Sequence, residues 1–111
     1  MYLQSYISLN HNNFIALCKK YRVVSLYGFG SSVNSIKSED VNDVDLAYKL
    51  EIKDPIKRGT ALLNFWDDLE NFFAMRVDLI DLDQIRNPIL REEINKTKVL
   101  LYEQQASQIS A

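Results

Sequence analysis

Two short apolar stretches of this chain carry acids where a fold ordinarily buries hydrocarbon. Asp43-Val44-Asp45 opens a segment that runs apolar from Val44 to Leu50, and Asp78 interrupts another from Arg76 to Leu82. Both segments have the β-branched and apolar content of strands. Because side chains alternate across a strand, Asp43 and Asp45 point to one face. With the strand that bears Asp78 laid beside them, three carboxylates gather at one place, close to the glycine turn Gly28-Phe29-Gly30-Ser31. Any fold of this chain has to bring those segments together and give the acids a reason to be there.

The remaining pattern supplies the parts. Val23 to Phe29 reads as a buried strand that stops at the glycine turn, with a brief helical turn after it through Val33 and Ile36. Lys37 to Asn42 is a polar loop, and so short a connection makes the strands on either side of it antiparallel neighbours. From Leu9 to Tyr21 the residues Leu9, Phe14, Ile15, Leu17, Cys18 and Tyr21 recur at helical spacing, with Asn10 placed to cap. Asp54-Pro55 is a strong helix start, and Leu62, Phe65, Trp66, Leu69, Phe72 and Phe73 follow it as the stripe of a long core helix. A further helix runs from Asn87 or Pro88 to Lys96, and Val99 to Tyr102 forms a last strand. Strands and helices so mixed predict an α/β (α+β) fold. The 111 residues suit one domain, 1–111, with residues from about 104 to 111 expected as a flexible tail.

Charge and cysteine content narrow the partners. With 15 acidic against 13 basic side chains, a net charge of -2 and no basic run, direct nucleic-acid binding is not expected. Cys18 is the single cysteine, so no internal disulfide forms, and its apolar helical surroundings read as those of a buried structural thiol. No charged leader with an apolar core opens the chain and no apolar stretch approaches a membrane span, which together with the free thiol places the expectation in the cytoplasm, away from membranes.

The acids predict the chemistry. Two unit charges about 4 Å apart repel by roughly 4 kcal/mol at an effective dielectric near 20, so a cation is expected among them. All-oxygen ligation suits Mg2+, with Mn2+ as the substitute, and two such ions astride a phosphoryl group stabilise the attacking and leaving oxygens together. The glycine turn lets backbone N–H groups approach phosphate oxygens closely. The reaction this suggests is metal-assisted transfer to an alcohol or phenol. Each feature alone has a plainer reading: Gly30-Ser31 as a turn and helix cap, Asp43 as a loop end, Asp45 as a solvent-facing strand residue. Their combination favours the metal. Asp81 and Asp83 compete with Asp78 for the third carboxylate, and Asp78 is preferred because Val77 and Leu79 flank it, the more deeply buried position by pattern. His11 reads as a helix-start surface residue and Tyr102 as core or sheet edge.

Taken together, these residues resemble the signature of the DNA polymerase beta-like nucleotidyltransferase superfamily, and within it the minimal nucleotidyltransferases of the MNT or MntA type. Leu26-Tyr27-Gly28-Phe29-Gly30-Ser31, Asp43-Val44-Asp45-Leu46 and Val77-Asp78-Leu79-Ile80 all have counterparts there. So does the closing run from Pro88-Ile89-Leu90-Arg91-Glu92-Glu93-Ile94 to Val99-Leu100-Leu101-Tyr102-Glu103, which narrows the likeness to this branch. The resemblance implies a mixed β-sheet flanked by helices and the transfer of a nucleoside monophosphate, AMP from ATP in the first instance. It implies that Gly30 and Ser31, with Ser32 beside them, contact the triphosphate, that Asp43 and Asp45 bind two Mg2+ ions, and that Asp78 completes the site and helps deprotonate the acceptor. The partner it implies is a HEPN-domain toxin, the chain acting as its antitoxin by AMP transfer or, alternatively, by binding alone. Two departures stand out. Ser32 occupies the position directly after the Gly-Ser pair where many relatives carry Arg, and the loop from Ser31 to Asp43 is one residue longer than the commonest spacing.

Overall fold

A computed structural model describes residues 2–34, 41 and 43–105. The elements run α1 (Tyr2–Leu9), α2 (His11–Lys20), β1 (Val23–Phe29), α3 (Ser31–Asn34), β2 (Val44–Leu50), α4 (Pro55–Phe73), β3 (Val77–Asp81), a 3-10 turn (Leu82–Gln84), α5 (Pro88–Thr97) and β4 (Val99–Glu103). Four strands form one sheet in the order β3-β2-β1-β4, antiparallel except for β2 against β3. The expected mixed sheet flanked by helices is what the chain forms, and β1 and β2 are the antiparallel neighbours the short connection demanded.

Alternation along β2 divides the molecule. Val44, Leu46, Tyr48 and Leu50 face a core shared with Leu3, Phe14, Cys18, Leu26, Phe65, Leu69 and Phe73 from the other elements. A smaller cluster of Phe29, Ala47, Ile85 and Ile94 fills the other face beneath α5. The aromatic stripe of α4 is indeed core: Phe65, Leu69 and Phe73 are buried, and the half-buried Trp66 donates its indole N–H to the Val77 carbonyl at 2.6 Å. Cys18 is fully buried, and burial pushes its thiol up to about 12, so it is an unreactive packing residue.

The connection from β2 to β3 sets the register that matters later. Asp54 caps α4 by accepting from the Lys57 N–H at 3.4 Å, and Pro55 opens the helix. At its far end Ala74 takes a left-handed conformation (φ 52°), and Glu70 accepts the Val77 N–H at 2.9 Å. The Val44 N–H then donates to the Arg76 carbonyl at 2.8 Å, which aligns Val44 with Val77 and Asp45 with Asp78.

Several expectations need correcting. The first helical region is two helices, and α1 was not anticipated. Leu9 is 85% exposed, so it does not begin the buried stripe. Asn10 makes no side-chain cap; its amide donates back to the Tyr6 carbonyl at 2.9 Å and so closes α1. Leu3 and Ile7 anchor α1 in the core, and the Tyr6 hydroxyl ties it to the Phe72 carbonyl at 2.6 Å. Gly28 belongs to β1 rather than to the turn, and its missing side chain admits α1: a Cβ there would stand 2.7 Å from Leu3 Cδ2 and 2.8 Å from Val33 Cγ1. Ile36, Lys37 to Asp40 and Asn42 lie outside the described residues, as do 106–111 of the expected tail. Gln104 is not tail, because its N–H donates to the Val24 carbonyl at 2.8 Å and lengthens the β4 ladder. Among the described residues no helix is long and apolar enough to cross a membrane.

Candidate active site

The sheet brings together the residues that the sequence scattered. β1 ends at Phe29, which pairs across the antiparallel ladder with Asp45. On the other side of β2, Asp45 stands in parallel register with Asp78. Asp43 immediately precedes β2, within electrostatic reach of Asp45. Gly30 follows Phe29 with φ +68°, a left-handed backbone that glycine adopts without strain. A side chain at Gly30 would be strained, and its Cβ would meet Asp45 Oδ2 at 2.8 Å, so the carboxyl would have to shift. The turn and the first strand acid therefore lie against each other.

These carboxyls are in an unfavourable state as they stand. Burial, then the charges of Asp78 and Asp43, then a hydrogen bond with Asp78 push Asp45 from 3.8 up to about 6. Asp45 thus gives up its proton less readily than an ordinary carboxyl, because its charge would be partly buried and would face those of Asp78 and Asp43. Among the described residues no three His, Cys, Asp or Glu side chains form a ready-made metal cage, and no Lys or Arg is paired with this cluster. What the cluster offers is an all-oxygen donor set with a repulsion that a hard cation would relieve. That is a fit to a divalent ion by chemistry and charge.

Asp78 stands beside Asp45 for a different reason from the one its flanking residues suggested. It is exposed, not buried, because β3 is an edge strand whose acid-bearing face is open at this end. Register selects it. Asp81 lies opposite Tyr48 and forms an ion pair with Arg58 at 3.0 Å, while its other oxygen caps the 3-10 turn through the Asp83 N–H at 2.9 Å. Neither Asp81 nor Asp83 belongs to the cluster.

The glycine turn is braced by two hydroxyls. Ser31 is exposed at the first position of α3, where the opening N–H groups have no carbonyl of their own helix to bond. Ser32 is fully buried instead: its hydroxyl donates to the Phe29 carbonyl at 2.8 Å and accepts the Asp45 N–H at 3.3 Å. Thr97, at the end of α5, accepts the Gly30 N–H at 3.3 Å while donating to the Glu93 carbonyl at 2.9 Å. Sequence reasoning missed Thr97. Its signal was topological, because pairing β4 against β1 aligns Val99 with Gly28 and so carries Thr97 to Gly30. A cleft of about 570 Å³ lined by Arg22, Glu51, Lys53, Asp54 and Lys57 opens at the opposite end of the sheet and contains none of these residues.

Comparison with known proteins agrees with this arrangement. The profile of the family described as Polymerase beta, Nucleotidyltransferase matches residues 12–107. A search of curated proteins finds no significant match. Among solved structures, a protein assigned as a minimal nucleotidyltransferase superposes with a TM-score of 0.66 at 22% identity, covering 88% of this chain and 95% of that one. A toxin–antitoxin structure with AMP-PNP gives 0.60 at 23% identity over 91% and 79%. The MNT antitoxin complex with tri-AMPylated HEPN toxin of Shewanella oneidensis gives 0.57 at 23% identity over 93% and 77%. At these identities the structures speak for the fold, and the profile, which spans most of the chain, speaks for descent: the chain belongs to the polymerase beta nucleotidyltransferase family.

Proposed function

We propose that this chain is a metal-dependent nucleotidyltransferase that moves AMP from ATP to a hydroxyl on a HEPN-type partner, and thereby acts as the antitoxin of a toxin–antitoxin pair. The observation that carries the reading is the in-register facing of Asp45 and Asp78 beside the Gly30 turn, with Asp45 pushed up to about 6. Members of the family generally use divalent metal ions. The solved relatives that include AMP-PNP and an AMPylated HEPN toxin give the nucleotide and the acceptor class.

In this reading Asp43 and Asp45 hold two Mg2+ ions, with Mn2+ as a substitute, and Asp78 completes the set. When bound, the cations neutralise charge on the phosphates and favour the ionised acceptor oxygen. The turn after Gly30 brings the opening N–H groups of α3 to the triphosphate, and Asp78, exposed on the edge strand, receives the acceptor proton. A bond forms from the acceptor oxygen to the α-phosphorus, the bond from that phosphorus to the bridging oxygen breaks, and pyrophosphate leaves. Position 32 supplies no cation to the phosphates, because its side chain points into the protein, between Phe29 and Asp45.

The test is incubation with a HEPN-domain partner, ATP and Mg2+, followed by intact-mass spectrometry of that partner. Mass increments of AMP on the partner, absent with Asp45→Asn, are the expected result. Tight complex formation with no increment would overturn transfer and leave neutralisation by binding.

A further inference from the structure

Ser32 is the one buried polar side chain among the described residues. A hydroxyl so placed requires partners to offset its lost hydration, and it has two at the site itself. It donates to the carbonyl of Phe29, the last residue of β1, and accepts the N–H of Asp45, the residue paired with Phe29 across the ladder. The same Asp45 presses its carboxyl against Gly30. One hydroxyl therefore fixes the distance between the turn and the acid strand.

We infer that Ser32 is a positioning residue for metal binding: its hydroxyl locks the Gly30 turn to the backbone of Asp45 and so sets where the Asp45 carboxylate sits. This rests on the metal-dependent reading above and replaces the triphosphate contact expected of the Ser32 side chain, whose buried hydroxyl is engaged by Phe29 and Asp45. Without the hydroxyl, the Asp45 N–H loses this acceptor, the Phe29 carbonyl loses this donor, and only the end of the β1–β2 ladder holds the turn against the strand. Losing a group that orients a metal ligand typically lowers metal affinity or activity by about 10- to 100-fold. Helix α3 and the core residues around Val33 remain to hold the fold, so metal binding falls further than stability does.

The experiment measures Mn2+ binding to the full chain at pH 8 by electron paramagnetic resonance of the free ion, with the thermal midpoint and the kcat and KM for AMP transfer recorded on the same samples. Ser32→Ala is expected to remain folded, to bind Mn2+ about tenfold more weakly and to lose about tenfold in kcat with a smaller change in KM for ATP. Ser32→Thr, which keeps the hydroxyl, recovers both. Should the alanine variant not fold, Ser32→Cys preserves the volume with a much weaker hydrogen-bonding group and is expected to show the same loss. Wild-type Mn2+ affinity and kcat in a folded Ser32→Ala protein would overturn the proposal, as would losses that merely track the unfolded fraction. Asp45→Asn in the same assay separates the two levels: abolished binding there with a silent Ser32→Ala sinks the brace alone, whereas unaltered binding in Asp45→Asn overturns the metal reading and the brace together.

Discussion

Strand β3 carries two aspartates three residues apart that meet opposite surroundings. Asp81 is held by the Arg58 guanidinium at 3.0 Å, and that guanidinium also donates to the Leu50 and Ile52 carbonyls at 3.2 and 3.4 Å. Asp78 faces Asp45 instead. Where a carboxylate serves the fold, the chain supplies its cation; where two carboxylates face each other beside a glycine turn, it supplies none among the described residues. The difference separates a structural acid from acids left open for a ligand, and three substitutions test it.

The largest effect is expected on the unpaired side. Asp45→Asn removes a proposed metal ligand while keeping the side chain's shape, and AMP transfer should fall by about 100- to 1000-fold in a radiolabel assay, as losses of one major electrostatic element do. Loss of less than about tenfold would break the comparison. On the paired side, Arg58→Met leaves Asp81 without its cation and two carbonyls without a donor. Unfolding in urea should show about 2 kcal/mol less stability, with transfer by the folded protein little changed.

A smaller effect has a definite sign. Asp45 titrates near 6 in the folded chain against 3.8 ordinarily, so the folded state binds this proton more tightly than the unfolded state does. The stability linked to its protonation is fully present below about 3.8 and is lost as pH rises through about 6. Asp45→Asn should therefore stabilise the metal-free protein at pH 8 by the order of 1 kcal/mol, a figure that allows for solvent screening at a half-buried site. That gain should vanish below about pH 4, and denaturation midpoints across pH measure it. The smallest effect falls on Thr97→Val, which removes the acceptor for the Gly30 N–H; one hydrogen bond of about 1 kcal/mol corresponds to roughly a fivefold loss in transfer, with an unchanged pH profile.

Much of this arrangement was legible in the chain, for identifiable reasons. β1 and β2 announce themselves by β-branched and aromatic content, and Asp54-Pro55 marks the start of α4 because one residue caps and the next tolerates a missing donor. Asp43 and Asp45 are read from strand geometry and motif together, although β2 begins at Val44 and Asp43 immediately precedes it. Asp78 meets Asp45 for a reason the local pattern does not give: flanking apolar residues suggest burial, yet a parallel register, set by Arg76 and Val77 against α4 and β2, places an exposed Asp78 opposite Asp45. Long-range pairing of this kind leaves no local trace. Helix α1 was illegible for a related reason, since its stripe is only Leu3 and Ile7 and its purpose is to fill the space that Gly28 leaves. Ser32 and Thr97 read as ordinary polar residues until the fold brings each hydroxyl to the turn.

The comparison between paired and unpaired acids reduces to one crossing of two curves. Thermal midpoints of the wild-type chain and of Asp45→Asn, at pH 8, are measured without metal and again with Mn2+ and AMP-PNP. The account predicts that the variant is the more stable protein without ligand and the less stable one with it, because only the wild-type site gains from the cation. Equal shifts in both proteins would contradict it.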